Sequence, residues 1–231
     1  MKLDIRIKMN EKLFLRNPEE SVLGKKIVQQ GLLLINKIGF EEFTFKKLAI
    51  EVLSTEASIY RYFENKHRFL IYLITWYWSY LEYKVYFSTN NISNPEIKLK
   101  SIVKILVEEP KNNDIHSEFI SENEAYKLAM WEGSKAYLTR NVSKDNKDSL
   151  FKPYKDLCGR IANVIQEYNP KYPFPHSLAS TMLEMAHAQR FFMQNLPSLT
   201  DFNESKNEDV IIIFLESLLF SAIKTNKQDN E

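Results

Sequence analysis

An all-helical protein is what this sequence predicts, with an N-terminal three-helix helix-turn-helix domain ahead of a larger helical C-terminal domain. Apolar residues recur at helical spacing along the chain, and no stretch alternates with the period that a half-buried strand needs. Two short apolar-periodic stretches flank a sharp turn: Phe45, Leu48, Ala49 and Val52 fall at i, i+3, i+4 and i+7, and Ile59 and Phe63 form an i, i+4 pair beyond it. Cap and stop residues punctuate these stretches at helix-like intervals. With 231 residues, 44% of them hydrophobic, the chain is long enough to bury a sizeable core.

Met1 to Arg16 has no clear periodicity and is expected as a flexible arm. Asn17-Pro18-Glu19-Glu20 reads as an N-cap, a proline at the first helical position and acids near the positive end of the helix dipole, so the first helix should start there. Its inward stripe is Ile27, Gly31, Leu34, Ile35 and Ile38, and Gly39 supplies the left-handed residue that stops it. Leu53-Ser54-Thr55 leaves room for a tight turn and an N-cap, so the next short helix should expose Glu56, Ala57, Ser58, Tyr60 and Arg61. Asn65 caps a long helix from Lys66 to about Ser88, striped with Tyr72, Trp76, Tyr80, Tyr83 and Phe87.

Asn94-Pro95 opens another helix, which carries Ile97, Ile102, Ile105 and Leu106 towards Glu109-Pro110; Lys111 to Asp114 is expected as loop. Ser121 and Glu124 have capping-box spacing ahead of a helix over Ala125 to Leu138, and Asn141 to Asp148 is expected as a charged loop. Helices over Tyr154 to Tyr168, Ser177 to Asn195 and Glu208 to Lys224, separated by prolines, bring the total to about nine. In the last, Ile211, Ile212, Ile213, Phe214, Leu215, Leu218, Leu219 and Phe220 wrap more than one face, which suits either burial inside a large domain or one face for the core and another for a partner subunit.

The formal net charge of +1 divides unevenly. Ser21 to Leu70 holds eight cations against five acids, the first twenty residues five against four, and Ile71 onward carries a net −3. A basic N-terminal domain on a mildly acidic body suits an anionic partner at one end. The lone Cys158 has no partner for an internal disulfide, the charged start MKLDIRIKMNEK lacks a signal peptide's apolar run, and Phe69 to Leu81 is too short to span a bilayer. These features predict a cytoplasmic chain without a membrane segment.

Gly39-Phe40 followed by Thr44, the Leu48-Ala49 pair, and Tyr60, Phe63 and Lys66 within SIYRYFENKH form an ordered signature. In it the sequence resembles the N-terminal domain of the TetR family of bacterial transcriptional repressors. The resemblance implies a DNA-binding domain over 17–70, after the arm at 1–16, and an effector-binding and dimerisation domain over 71–231. It also implies a homodimer on double-stranded operator DNA, with an unidentified small-molecule effector. Phosphates should be met by Thr44, Tyr60 and Lys66, with Lys46 and His67 as lesser candidates, and base edges by Thr55, Glu56, Ala57, Ser58 and Arg61. Two departures stand out. Leu53 and Ser54 occupy the turn where the family has glycine and a branched residue, so either the turn takes another form or the following helix sits at a shifted angle. Glu56 replaces a residue that is often basic; it either accepts from a cytosine amine or repels phosphate.

The expected effector pocket draws on Trp76, Tyr80, Tyr126, Met130, Trp131 and Phe191, with His187 and Arg190 as a polar end for an anionic or carbonyl group. The same residues suit an ordinary core. Dimer contacts are expected at Met182, Phe214 and Leu218. His67, His116, His176 and His187 lack metal-ligand spacing and Cys158 lacks a nucleophile motif, so neither metal, cofactor nor catalysis is expected. The sequence thus reads as a ligand-responsive regulator, a repressor released from a palindromic operator by its effector. The alternatives are a helical interaction protein that has lost operator binding, and an enzyme using the C-terminal cavity.

Overall fold

The computed structural model describes residues 7–110, 120–202 and 207–224. Residues 1–6 of the expected arm, the expected loop at 111–114 and His116 lie outside them. Among the described residues there are ten α-helices and no strand: α1 Val22–Glu42, α2 Phe45–Glu51, α3 Glu56–Tyr60, α4 Lys66–Thr89, α5 Pro95–Val107, α6 Glu122–Glu132, α7 Val142–Lys147, α8 Lys152–Tyr168, α9 Pro175–Asn195 and α10 Glu208–Ile223. Two compact units result, one of Met1–Tyr80 with Glu109–Pro153 and the other of Leu81–Glu108 with Tyr154–Glu231. The division falls inside α4, and these boundaries differ from those expected at 16/17 and 70/71.

In the first unit, α1 begins later than Asn17 predicts. The Asn17 side chain accepts from the Glu19 amide and closes a single 3-10 turn over Pro18–Glu20; Ser21 then turns extended and caps α1 by accepting from the Gly24 amide. Two capping residues four apart share the work, and the inner one starts the α-helix. At the far end Gly39 sits at φ 79°, ψ 156°, a region closed to residues with a β-carbon, and kinks the chain towards α2. The core is aromatic. Phe69 stacks on Phe43 at 5.6 Å and meets Phe63 edge-on at 4.8 Å, while Phe63 contacts Tyr72 at 5.3 Å. Gly31 makes the approach of α1 to α4 possible, because a β-carbon there would lie 2.3 Å from the Phe69 ring.

Residues 7–16, expected as a free arm, are held in place. Leu13 is buried, the Leu15 amide donates to the Tyr62 carbonyl at 2.8 Å, and the Asn10 side chain donates to the Asp148 carbonyl at 3.1 Å. The expected charged loop at 141–148 is instead α7, with Asp145 buried against Arg68 at 3.2 Å. A run of charges reads as solvated from sequence, yet a carboxylate can be buried when a guanidinium from a distant element meets it. The helix expected over 125–138 ends at Glu132 and continues as a 3-10 turn over Gly133–Ala136.

The second unit packs α5, α8, α9 and α10 around aliphatic side chains, among them Ile102 and Leu106, Ile161 and Ile165, Leu183 and Ala186, and Leu215 and Leu219. Asn94 caps α5 by accepting from the Glu96 amide at 2.8 Å. Met182, expected at a dimer interface, is 1% exposed and belongs to this core. Phe214 and Leu218 remain exposed on α10. Polar ties join these helices as well: Lys98 pairs with Glu167 at 2.5 Å, the Tyr154 hydroxyl donates to Glu184 at 2.7 Å, Asn169 donates to the Ile223 carbonyl at 3.1 Å, Arg190 pairs with Glu208 at 2.6 Å, and Arg160 grips Glu82.

Candidate nucleic-acid interface

Each short helix of the helix-turn-helix carries its own cap. Thr44 accepts from the Lys47 amide at 3.2 Å to open α2, and Thr55 accepts from the Ser58 amide at 3.2 Å to open α3. Between them the Ser54 amide donates to the Ala49 carbonyl at 2.9 Å and the Leu53 amide to the Ile50 carbonyl at 3.1 Å, the paired bonds of a Schellman ending. Leu53 occupies the left-handed position of that motif, φ 55°. The leucine therefore does not impose another turn. It adopts the conformation a glycine would favour, at a cost of about 1–2 kcal/mol. Lys26 supports the turn by donating to the Val52 carbonyl at 3.0 Å.

Around this turn Thr44, Lys46, Thr55, Ala57, Tyr60 and Arg61 are exposed, and Glu56 and Ser58 are half-exposed. Tyr60 is anchored by its ring, edge-on to Phe45 at 5.1 Å. The Thr55 and Ser58 hydroxyls bond to each other at 2.9 Å. Two expected phosphate ligands behave differently. The Lys66 ammonium donates to the carbonyls of Phe40, Glu41 and Phe43 at 3.2, 3.1 and 3.3 Å and lies 4.8 Å from the centre of the Phe40 ring. A lysine has three donors and all three meet the chain end that follows the Gly39 kink, so its side chain is a structural clamp. His67 turns to Asp145, 3.5 Å away, beside Arg68.

Carboxylates that sequence reasoning missed fasten this region within the first unit. Glu132 of α6 accepts the buried Phe40 amide at 3.0 Å with one oxygen and meets Lys135 at 2.7 Å with the other. The Asn36 side chain donates to the Glu124 carbonyl and carboxylate at 2.9 and 2.7 Å. Phe40 and Glu132 are 92 positions apart, so no local pattern announces the bond.

The expected effector residues divide between the units: Trp76, Tyr80, Tyr126, Met130 and Trp131 fall in the first, His187, Arg190 and Phe191 in the second. Trp76 is buried and stacked on Tyr80 at 5.8 Å, and the Tyr80 hydroxyl donates to Glu122 at 2.8 Å. Tyr126 is buried too, Met130 half-buried, and Trp131 exposed. Burial, and secondarily the Arg190 charge, push the His187 pKa down to about 4, so its imidazole is neutral at neutral pH. Arg190 also reaches the Val107 carbonyl at 3.5 Å. An open cavity of about 320 Å³, not anticipated from sequence, is lined by Ile7, Lys8, Met9, Glu11, Phe14, Asn17 and Glu19. Among the described residues no group of histidine, cysteine and carboxylate side chains could hold a metal ion, and no helix is long and apolar enough to cross a membrane. Burial raises the Cys158 thiol to about 11, which keeps it protonated at neutral pH.

No family model and no curated protein sequence matches this chain. Solved structures do. A regulatory protein of the tetR family from Rhodococcus RHA1 aligns at a TM-score of 0.62 with 11% identity, over 90% of this chain and 100% of that one. AibR, crystallised with isovaleryl coenzyme A and operator DNA, aligns at 0.60 with 13% identity, over 85% and 98%. The fatty acid degradation regulator FadR from Bacillus halodurans aligns at 0.56 with 17% identity, over 84% and 96%. The chain has the all-helical fold of TetR-family transcriptional regulators.

Proposed function

We propose that this protein is a ligand-responsive transcriptional regulator that binds duplex DNA as a homodimer and places α3 of each copy in successive major grooves. The observation that carries this reading is the α2–turn–α3 unit: two side-chain-capped helices, a closed left-handed turn, and Lys46, Thr55, Ala57 and Arg61 exposed. Phosphate contacts fall to Thr44, Lys46 and Tyr60. At Lys66 and His67 they fall to the first-turn backbone amides of α4, since both side chains are engaged elsewhere. Base edges are left to Thr55, Glu56, Ala57, Ser58 and Arg61.

The dimer is supported by α10, where Ile213, Phe214 and Leu218 remain 66%, 37% and 38% exposed on a helix whose opposite side is core. The shared fold with AibR, crystallised with isovaleryl coenzyme A, makes acyl-coenzyme A thioesters the first effector class to assay. Such an effector releases the operator by binding better to a conformer whose two α3 helices no longer match the DNA. Repression, a cytoplasmic location and the lack of catalysis belong to the same reading.

Binding of duplex DNA from upstream of the protein's own coding sequence, titrated against random duplex at several salt concentrations, tests it. Preference for the upstream DNA and a linear fall of log affinity with log salt are expected. Equal affinity for both duplexes, or no salt dependence, removes the regulator in favour of a helical interaction protein.

A further inference from the structure

The chemistry left at the N-terminal half of α3 is unusual for a surface that reads bases. Hydrogen-bonded readout relies on arginine or lysine at guanine and on asparagine or glutamine at adenine. From Thr44 to Tyr60 the chain has no arginine, asparagine or glutamine. Lys47 donates to the Glu42 carbonyl at 2.7 Å, Lys46 lies on the first turn of α2, and Arg61 lies beyond the end of α3. The Thr55 and Ser58 hydroxyls serve each other and the α3 cap. Besides the half-exposed Glu56, what α3 and its preceding turn project is apolar: the Ala57 methyl, and the Leu53 side chain, 87% exposed two residues ahead of the Thr55 cap. Ile50, whose carbonyl accepts from the Leu53 amide, extends this apolar surface at 69% exposure. Leu53 is held in a left-handed conformation and gains no packing within the chain, so nothing in the fold itself explains a leucine there.

Resting on the DNA-binding reading, we propose that Ala57 and Leu53 are specificity-determining residues that recognise the 5-methyl groups of thymines in the operator. The thymine methyl is the apolar feature that a B-form major groove presents, and small apolar side chains are its partners. The half-exposed Glu56 complements them by accepting from a cytosine amine.

Deoxyuridine provides the test, because it pairs as thymine does but lacks the methyl. Sequences bound by the full-length protein are enriched from a random duplex library, and each thymine of the best site is then replaced singly by deoxyuridine. Loss of a contacted methyl should weaken binding about fourfold. In Leu53→Gly, which suits the turn, the penalty at one thymine should vanish while the others persist; Ala57→Ser should remove it at another. Deoxyuridine without effect at every position, or penalties unchanged in both variants, overturns the proposal while leaving the regulator intact. A library from which nothing is enriched removes the regulator reading itself, and this inference with it.

Discussion

The two units of this molecule differ in what their cores are made of, aromatic rings in the first and aliphatic side chains in the second. In the first, directional polar contacts fix the helix-turn-helix: Lys66 on three carbonyls, Glu132 on the Phe40 amide, and Arg68 and His67 on Asp145. In the second, α5, α8, α9 and α10 share an aliphatic core, with ion pairs such as Lys98–Glu167 and Arg190–Glu208 between helices around it. A buried directional contact depends on one side chain, and removing it leaves its partner unpaired at a cost of about 1–3 kcal/mol, whereas an aliphatic core resists as a whole. In the proposed regulator, the element that reads DNA is the one fixed by contacts that a single substitution removes, and the body that dimerises is the one held by a shared core.

The largest effect should come from the second unit. Leu218→Glu places a charge on the exposed α10 face and should cost about 3–5 kcal/mol of association, leaving a monomer at micromolar concentration by sedimentation. A persisting dimer would move the interface away from α10. The same unit also carries an acid sensitivity. His187 has its folded pKa lowered to about 4 against about 6.5 when unfolded, so between these values the unfolded chain binds the extra proton and stability falls as pH drops. The loss should approach about 3 kcal/mol by pH 4, and His187→Gln should flatten the urea-midpoint profile between pH 7 and pH 4. An identical profile in the variant would assign the acid loss to other groups.

Smaller changes probe the first unit. Lys66→Met removes the ammonium from three carbonyls and should lower stability by about 2–3 kcal/mol in urea titration, whereas Lys46→Ala, at an exposed site, should stay within about 0.5 kcal/mol. Equal effects would show that the clamp contributes nothing. Leu53→Gly should run the other way and stabilise by about 1 kcal/mol by relieving the left-handed residue. A loss of stability there would mean that Leu53 packs in solution.

What was legible in the sequence follows the same divide between local and distant contacts. Thr55, Asn94 and Ser121 cap the helices that follow them, and Gly39 takes a positive φ, because each of these features is decided by atoms a few residues away. Ser121 and Glu124 form only half of a capping box: the Ser121 hydroxyl accepts the Glu124 amide, while the Glu124 carboxylate turns to Asn36 and Lys127. Asn17 misled because Ser21 caps as well and lies nearer the helix. Lys66 and His67 read as phosphate ligands, and Asp145 as part of a charged loop, because their partners lie 23 or more positions away along the chain. Met182 read as an interface residue because a methionine on a helix suits a core and a partner surface equally. The expected effector residues fall in both units, and aromatic and methionine side chains mark burial wherever it occurs.

The salt dependence of binding to upstream duplex DNA, compared between the wild type, Lys46→Ala and Lys66→Met, tests the helix-turn-helix account most directly. Log affinity should fall steeply with log salt in the wild type, less steeply by about one unit of slope in Lys46→Ala, and with an unchanged slope in Lys66→Met. A flat wild-type response, or a slope that changes with Lys66 and not with Lys46, would contradict it.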